Sequence, residues 1–64
     1  MSDIPFFYVY RDAAGEWRWR LRAEGNHKII ADSAESYVSK GGAEEAAARV
    51  QREAPKALIV TEGS

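Results

Sequence analysis

Cysteine is absent from the 64 residues of this chain, and proline occurs only twice. Without thiols the chain forms neither disulfides nor thiolate metal sites. A chain of this size buries only about 60% of the surface that its unfolded form exposes, so it needs some other source of stability. Self-association is the remaining way to enlarge the core. We therefore expect residues 1–64 to form one small domain that pairs as a homodimer, with no metal and no cofactor.

The chain also lacks an excess of charge of one sign, because it has nine lysines and arginines and ten acidic residues. This balance excludes an overall basic footprint for nucleic acid and leaves room only for a local patch. No run approaches the roughly eighteen consecutive apolar residues of a membrane span. The opening stretch MSDIPFFYVY lacks the basic start and long apolar core of a secretory signal. We expect a cytoplasmic protein.

Two stretches near the start of the chain predict a β-hairpin. PFFYVYRD is rich in aromatic and β-branched residues, and EWRWRLRA alternates apolar with basic side chains. A three-residue loop, Ala13 to Gly15 with Gly15 in the left-handed conformation, joins the two strands. This register sets Val9 opposite Trp19, and a slip of one residue would mix arginines with apolar positions.

The predicted register divides the hairpin into two faces. The inner, apolar face contains Phe7, Val9, Trp17, Trp19 and Leu21. The outer face contains Phe6, Tyr8, Tyr10, Arg18, Arg20 and Arg22. We expect both tryptophans to belong to the core, because large apolar residues dominate small cores. Trp17, nearer the turn and opposite Arg11, is the one we expect to be partly exposed.

The rest of the chain predicts a third strand, a helix and a fourth strand. KIIADS follows the turn EGNH and completes an antiparallel meander. Residues 43–54, AEEAAARVQREA, form an amphipathic helix. Its inward stripe is made of small side chains, which are those of Ala43, Ala46, Ala47, Val50 and Ala54. Ser39 or Gly42 caps its start, and Pro55 ends it. The fold class is α+β, in the order β-β-β-α-β.

The predicted fourth strand is a continuous apolar run. It consists of Ala57, Leu58, Ile59 and Val60. Such a run is typical of a strand that is covered on both sides, and left unpaired it would promote aggregation. We expect it to join a sheet, either that of its own chain or that of a partner.

Three stretches, GEWRWRLRA, IIADS and YVSKGGAEEAAARVQ, together resemble the YegP-like family of small domains of unknown function. The matching positions are Phe7, Tyr10, residues 17–23, residues 29–33, Tyr37, Ser39, Lys40, Ala43 and Val50. The resemblance implies a β-β-β-α-β unit that occurs as tandem repeats or paired subunits, joined in one sheet with exchanged C-terminal strands. Because this chain has one unit, the resemblance implies a strand-exchanged homodimer. We expect this homodimer to act in molecular interaction. The resemblance implies no catalytic residues.

The row of Arg18, Arg20 and Arg22 has two interpretations. With Tyr8 and Tyr10 it forms a basic and aromatic face of the kind that binds nucleic acid by phosphate contacts and base stacking. Alternatively, the arginines alternate because the outer face of a one-sided sheet is solvated, with their stems lying over aromatic rings. We favour the solvated face and keep nucleic-acid binding as the alternative function.

No group of residues predicts catalysis or a small-molecule ligand. His27 is the only histidine, and a metal site needs three or four converging ligands. The carboxylates are scattered along the chain, and neither a thiol nor a hydroxyl triad is apparent. Tyr37 either latches its loop to the sheet edge through its hydroxyl or lines a groove between subunits, and we favour the latch. We expect a protein that is not an enzyme.

Overall fold

The computed structural model describes residues 4–63, which form three strands, one α-helix and a short 3-10 helix. The elements are β1 (Phe6–Arg11), β2 (Trp17–Arg22), β3 (Ile29–Asp32), α1 (Lys40–Glu53) and the 3-10 helix Ala54–Lys56. The strands form one antiparallel sheet in the order β1-β2-β3. The predicted α+β class, with a three-stranded meander and one helix, is confirmed.

The hairpin has the predicted register. Val9 lies opposite Trp19, and Phe7 lies opposite Leu21. Gly15 closes the loop with a φ of 84°, which glycine adopts readily because it has no Cβ. Alternation then places the two predicted sets of side chains on opposite faces of the sheet.

The third strand is shorter than KIIADS, but the chain that follows it continues along β2. The N–H of Ser33 donates to the carbonyl of Trp19 at 2.9 Å, and the Ser33 hydroxyl accepts from the Trp19 N–H at 3.2 Å. Further on, Tyr37 and Trp17 exchange two backbone hydrogen bonds of 2.8 Å. The side of β2 that faces β3 is therefore paired along most of its length.

Helix α1 begins at Lys40, three residues before the predicted start. Ser39 is the N-cap, and its hydroxyl accepts from the Gly42 N–H at 3.0 Å. Because this cap stabilises the start of the helix, the first turn includes two glycines, which have low helix propensity. The α-helix ends at Glu53, and Pro55 lies in the first turn of the 3-10 helix. Backbone N–H groups in a first turn have no partner within the helix, so the missing N–H of proline costs no hydrogen bond there.

The core lies between α1 and the β1–β2 hairpin. Ala43 and Ala47 are buried, and their small side chains let the helix approach Trp19, which is 7% exposed. Phe7 meets the Trp19 ring edge to face, with centroids 5.5 Å apart. The inward stripe was predicted to extend to Ala54, which is wrong, because that residue lies beyond the α-helix and is exposed.

Residues 57–60 adopt no regular secondary structure in this single chain. Leu58, Ile59 and Val60 are 87%, 97% and 86% exposed. The predicted fourth strand is thus not formed on the sheet of its own chain, and its pairing with a second copy stays a prediction. Across residues 4–63, no helix is both long and apolar enough to cross a membrane.

Candidate interaction surfaces

The outer face of the hairpin is a self-stacked array of rings and guanidinium groups. The rings of Tyr8 and Tyr10 are nearly parallel, at 11°, with centroids 5.8 Å apart. The guanidinium carbon of Arg20 lies 4.5 Å from the Tyr10 centroid, and that of Arg22 lies 6.0 Å from the Tyr8 centroid. These are cation–π distances, so the arginines and tyrosines stabilise one another's positions.

Arg18 is held by a carboxylate. Its Nε donates to Asp12 Oδ2 at 2.7 Å, and both side chains are partly buried. The hydrogen bond with Arg18, followed by that from the Glu16 N–H, lowers the pKa of Asp12, although burial opposes the shift. The same carboxylate raises the pKa of Arg18. The charge of Arg18 is therefore compensated within the hairpin.

The five outer-face residues predicted as a binding surface are brought together by the fold. Each arginine of the row is half-buried and has an intramolecular contact, since Arg22 Nη1 also donates to the carbonyl of His27 at 3.0 Å. Such contacts favour a solvated face whose arginine stems cover aromatic rings. Tyr8 is half exposed and remains accessible from solvent. Nucleic-acid binding by this face stays an untested prediction.

The other aromatic residues considered as binding residues contribute to packing and pairing within the fold. Trp17 is half-buried beneath Arg11, whose guanidinium carbon lies 5.9 Å from the ring centroid. Tyr37 does latch its loop to the sheet, but through its backbone rather than through the hydroxyl we predicted. His27 meets Phe6 edge to face at 5.3 Å in a turn with a φ of 59°. Among residues 4–63 no three potential metal ligands converge.

The second surface is the C-terminal segment, residues 57–60, together with a groove beside the helix. The groove has a volume of about 560 Å³ and lies between β1 and α1. Its lining contains Glu44 and Gln51 as well as apolar side chains, which are those of Pro5, Phe6, Phe7, Val9, Leu21, Ala47 and Ala48. The sequence predicts the segment but not the groove, because a pattern of small helix residues does not show how much of the sheet the helix leaves uncovered.

Comparison with known proteins gives a family and a fold. The domain of unknown function DUF1508 matches residues 12–60. Two UPF0339 proteins of Neisseria meningitidis, from serogroups B and A, are each 57% identical over 35 residues, which is 55% of this chain. The match spans 59% of the length of those two relatives.

Longer matches cover nearly the whole chain. A UPF0339 protein of Treponema denticola is 39% identical over 54 residues, or 84% of this chain and 90% of the relative. The solution NMR structure of a protein from Haloferax volcanii has a TM-score of 0.82 and 40% identity, and covers 94% of this chain and 98% of its own. These matches confirm the resemblance stated from the sequence: the chain belongs to the DUF1508 family of domains of unknown function.

Proposed function

We propose that this protein is a single-domain, cytoplasmic and non-enzymatic interaction module that acts as a homodimer, joined by exchange of residues 57–60. The observation that carries the proposal is the exposure of Leu58, Ile59 and Val60, each at least 86% exposed. Contiguous exposed apolar residues mark interaction sites, whereas single ones are ordinary. The side chains of this segment are aliphatic and offer neither a nucleophile nor a proton donor, so they support binding rather than catalysis.

The dimensions of the chain support a dimer. Its accessible surface is 5203 Å², whereas a folded monomer of 7.1 kDa exposes about 4,100 Å². Its Cα radius of gyration is 13.3 Å, against about 11 Å for a compact chain of this length. If a dimer buried this excess surface on each of its two copies, the total buried area would be about 2,200 Å². That area lies in the range of obligate homodimers.

A pair of charge substitutions tests the proposal. Ile59→Asp places a carboxylate in the apolar segment, and Val38→Asp is its matched control, because Val38 is 90% exposed in the loop before α1. Sedimentation velocity should give a dimer for the wild type and for Val38→Asp, and a monomer for Ile59→Asp. A wild-type monomer, or a dimer that persists in Ile59→Asp, would contradict the proposal.

Nucleic-acid binding on the outer face is the second candidate function. It is favoured by the half-exposed Tyr8 ring beside the guanidinium groups of Arg20 and Arg22. Because Asp12 already compensates Arg18, two phosphate contacts are expected, and the slope of log affinity against log salt is about −1.4 for a single strand.

The test measures retention of the wild type on single-stranded DNA and RNA at low salt. Replacing Arg20 and Arg22 together by Gln should abolish retention, while Arg52→Gln, on the exposed face of α1, should not. If the wild type is not retained at low salt, this second function is excluded.

A further inference from the structure

The outer face of the hairpin contains a recess of about 290 Å³. Its lining, which defines what we call the outer recess, consists of Phe6, Tyr8, Arg22 and His27. Ligand sites usually measure about 300–1,000 Å³, so a recess near the lower limit suits a single ring rather than a large ligand. Three aromatic rings and one guanidinium group therefore surround a space that suits one ring.

Tyr8 supplies the stacking surface of the outer recess. Phe6, Tyr8 and Tyr10 occupy alternate positions of β1, so their side chains follow one another along the outer face. Tyr10 stacks on one face of the Tyr8 ring, and the recess lies on the side of Tyr8 that is nearer Phe6. Tyr8 is nevertheless 49% exposed. A planar ring that enters the recess would therefore continue the stack formed by Tyr10 and Tyr8.

The walls of the outer recess are held in place by contacts within the chain. Phe6 and His27 meet edge to face, with ring centroids 5.3 Å apart. Phe6 also lies directly opposite Arg22 in the hairpin register, and Arg22 Nη1 donates to the carbonyl of His27 at 3.0 Å. A site that is already formed loses little freedom when a ligand binds, which favours affinity.

Two of the three arginines on this face keep an uncompensated charge. Arg18 is paired with Asp12. In the described part of the chain, by contrast, no carboxylate lies within ion-pair distance of Arg20 or Arg22. Their partners are tyrosine rings and a backbone carbonyl, which are neutral. The charge beside the recess therefore selects an anion, and phosphate is the best match because its oxygens fit the fork of N–H donors of arginine.

We propose that the outer recess binds one nucleotide, with its base stacked on the Tyr8 ring and its phosphate on Arg22. A nucleotide joins a planar ring to an anion, and here a guanidinium carbon lies 6.0 Å from the centroid of the stacking ring. Every base has a π-face, so stacking accepts any base. This inference rests on the nucleic-acid function proposed above, and it names the unit of the strand that the face recognises. A free nucleotide offers the same chemistry, and the experiment separates the two sources.

Three ligands separate the base from the phosphate and a strand from a free nucleotide. They are a short deoxythymidine strand, a strand of the same length whose sugars carry no bases, and thymidine monophosphate. Fluorescence anisotropy at low salt should show that the base-bearing strand binds about 5- to 150-fold more tightly than the abasic strand. This is the range for one base that stacks on an aromatic ring.

NMR spectra of the wild type locate the bound base. Stacking of the base should shift the ring resonances of Tyr8 and Phe6. The ring of Tyr37 lies beside Gly42 at the start of α1, so its resonances should not shift and provide an internal control. Ring shifts with the strand but not with thymidine monophosphate would identify the strand as the source of the nucleotide.

Substitutions separate the two contacts. Tyr8→Leu removes the stacking ring and should abolish the preference for the base-bearing strand over the abasic strand, whereas Tyr8→Phe keeps a ring and should retain it. Arg22→Gln removes a phosphate contact, so it should weaken binding of both strands alike and make the slope of log affinity against log salt shallower by about 0.7.

The other outcomes distinguish this inference from the nucleic-acid function. Equal affinity for the two strands would overturn the inference, while the nucleic-acid function would stand. A base preference that persists in Tyr8→Leu, or wild-type spectra without shifts of the Tyr8 ring, would overturn it in the same way. Ring shifts with thymidine monophosphate and no binding of either strand would support the recess with a free nucleotide as its ligand and exclude the nucleic-acid function. Binding of none of the three ligands would overturn both.

Discussion

At the scale of single residues, one carboxylate holds the first turn together. Asp12 Oδ1 accepts from the N–H groups of Ala14 and Glu16, both at 2.9 Å, while Oδ2 accepts from Arg18. The Asp12 side chain is only 18% exposed. Hydrogen bonds to the ionised form lower a carboxyl pKa, and Arg18 is the largest cause here.

The lowered pKa makes part of the stability dependent on pH. The ionised Asp12 stabilises the folded state fully above the ordinary pKa of 3.8, and this contribution is lost as the pH falls through the lower pKa of the folded state. Asp12→Asn should therefore melt below the wild type at neutral pH, and the gap in Tm should narrow below pH 3.8. Circular dichroism melts at a series of pH values measure this. Glu35→Gln, at an exposed loop position, is the control and should show no such gap.

Two glycines should respond in opposite ways to the same substitution. Gly15 has a φ of 84°, where a Cβ is strained, so Gly15→Ala should cost about 1–2 kcal/mol of unfolding free energy. Gly41 lies in the first turn of α1 with open space around it, so Gly41→Ala should stabilise by about 0.4–1 kcal/mol. Urea unfolding of both variants decides the matter. Equal effects would show that Gly15 does not need its left-handed backbone.

At the scale of elements, the start of α1 depends on Ser39. Gly41 and Gly42 in its first turn favour a helix poorly, and the Ser39 hydroxyl accepts a hydrogen bond from the N–H of Gly42. Ser39→Ala should lower the unfolding free energy by about 1 kcal/mol and lower Tm by roughly 4–8 °C. Ser39→Asp keeps an acceptor and should retain most of the stability. Similar losses in both variants would mean that the cap is not what stabilises this end.

The hairpin was predicted residue by residue because its signals are local. A loop ending in Gly15 and the alternation in WRWRLR determine one register, which the structure has. The start of α1 was predicted three residues late, because propensity disfavours the two glycines and a capping hydrogen bond outweighs it. Tyr37 latches through its backbone, a pairing that no side-chain pattern reports.

At the scale of the whole molecule, the apolar run at residues 57–60 shows what a sequence cannot specify. Its composition predicts a strand, but a strand needs an edge to pair with, and no residue pattern states which edge or which copy provides it. In the single chain, residues 57–60 adopt no regular secondary structure, so their pairing with an edge stays a prediction.

The single chain has two features that pairing with a second chain would remove. A single chain leaves the apolar run at residues 57–60 in water and exposes more surface than a folded monomer of its size. Pairing would cover that run and supply the stability that a cysteine-free domain of 64 residues otherwise lacks. A search for partners should then begin with surfaces of the dimer.

The solution mass tests this account most directly. Light scattering on a size-exclusion column, at two protein concentrations, should give twice the 7.1 kDa of one chain at both concentrations. That result would support the homodimer, and a loss of the dimer in Ile59→Asp would then assign its interface to the C-terminal segment. A mass of 7.1 kDa at both would contradict the account, because the segment would then lie in water on a stable monomer.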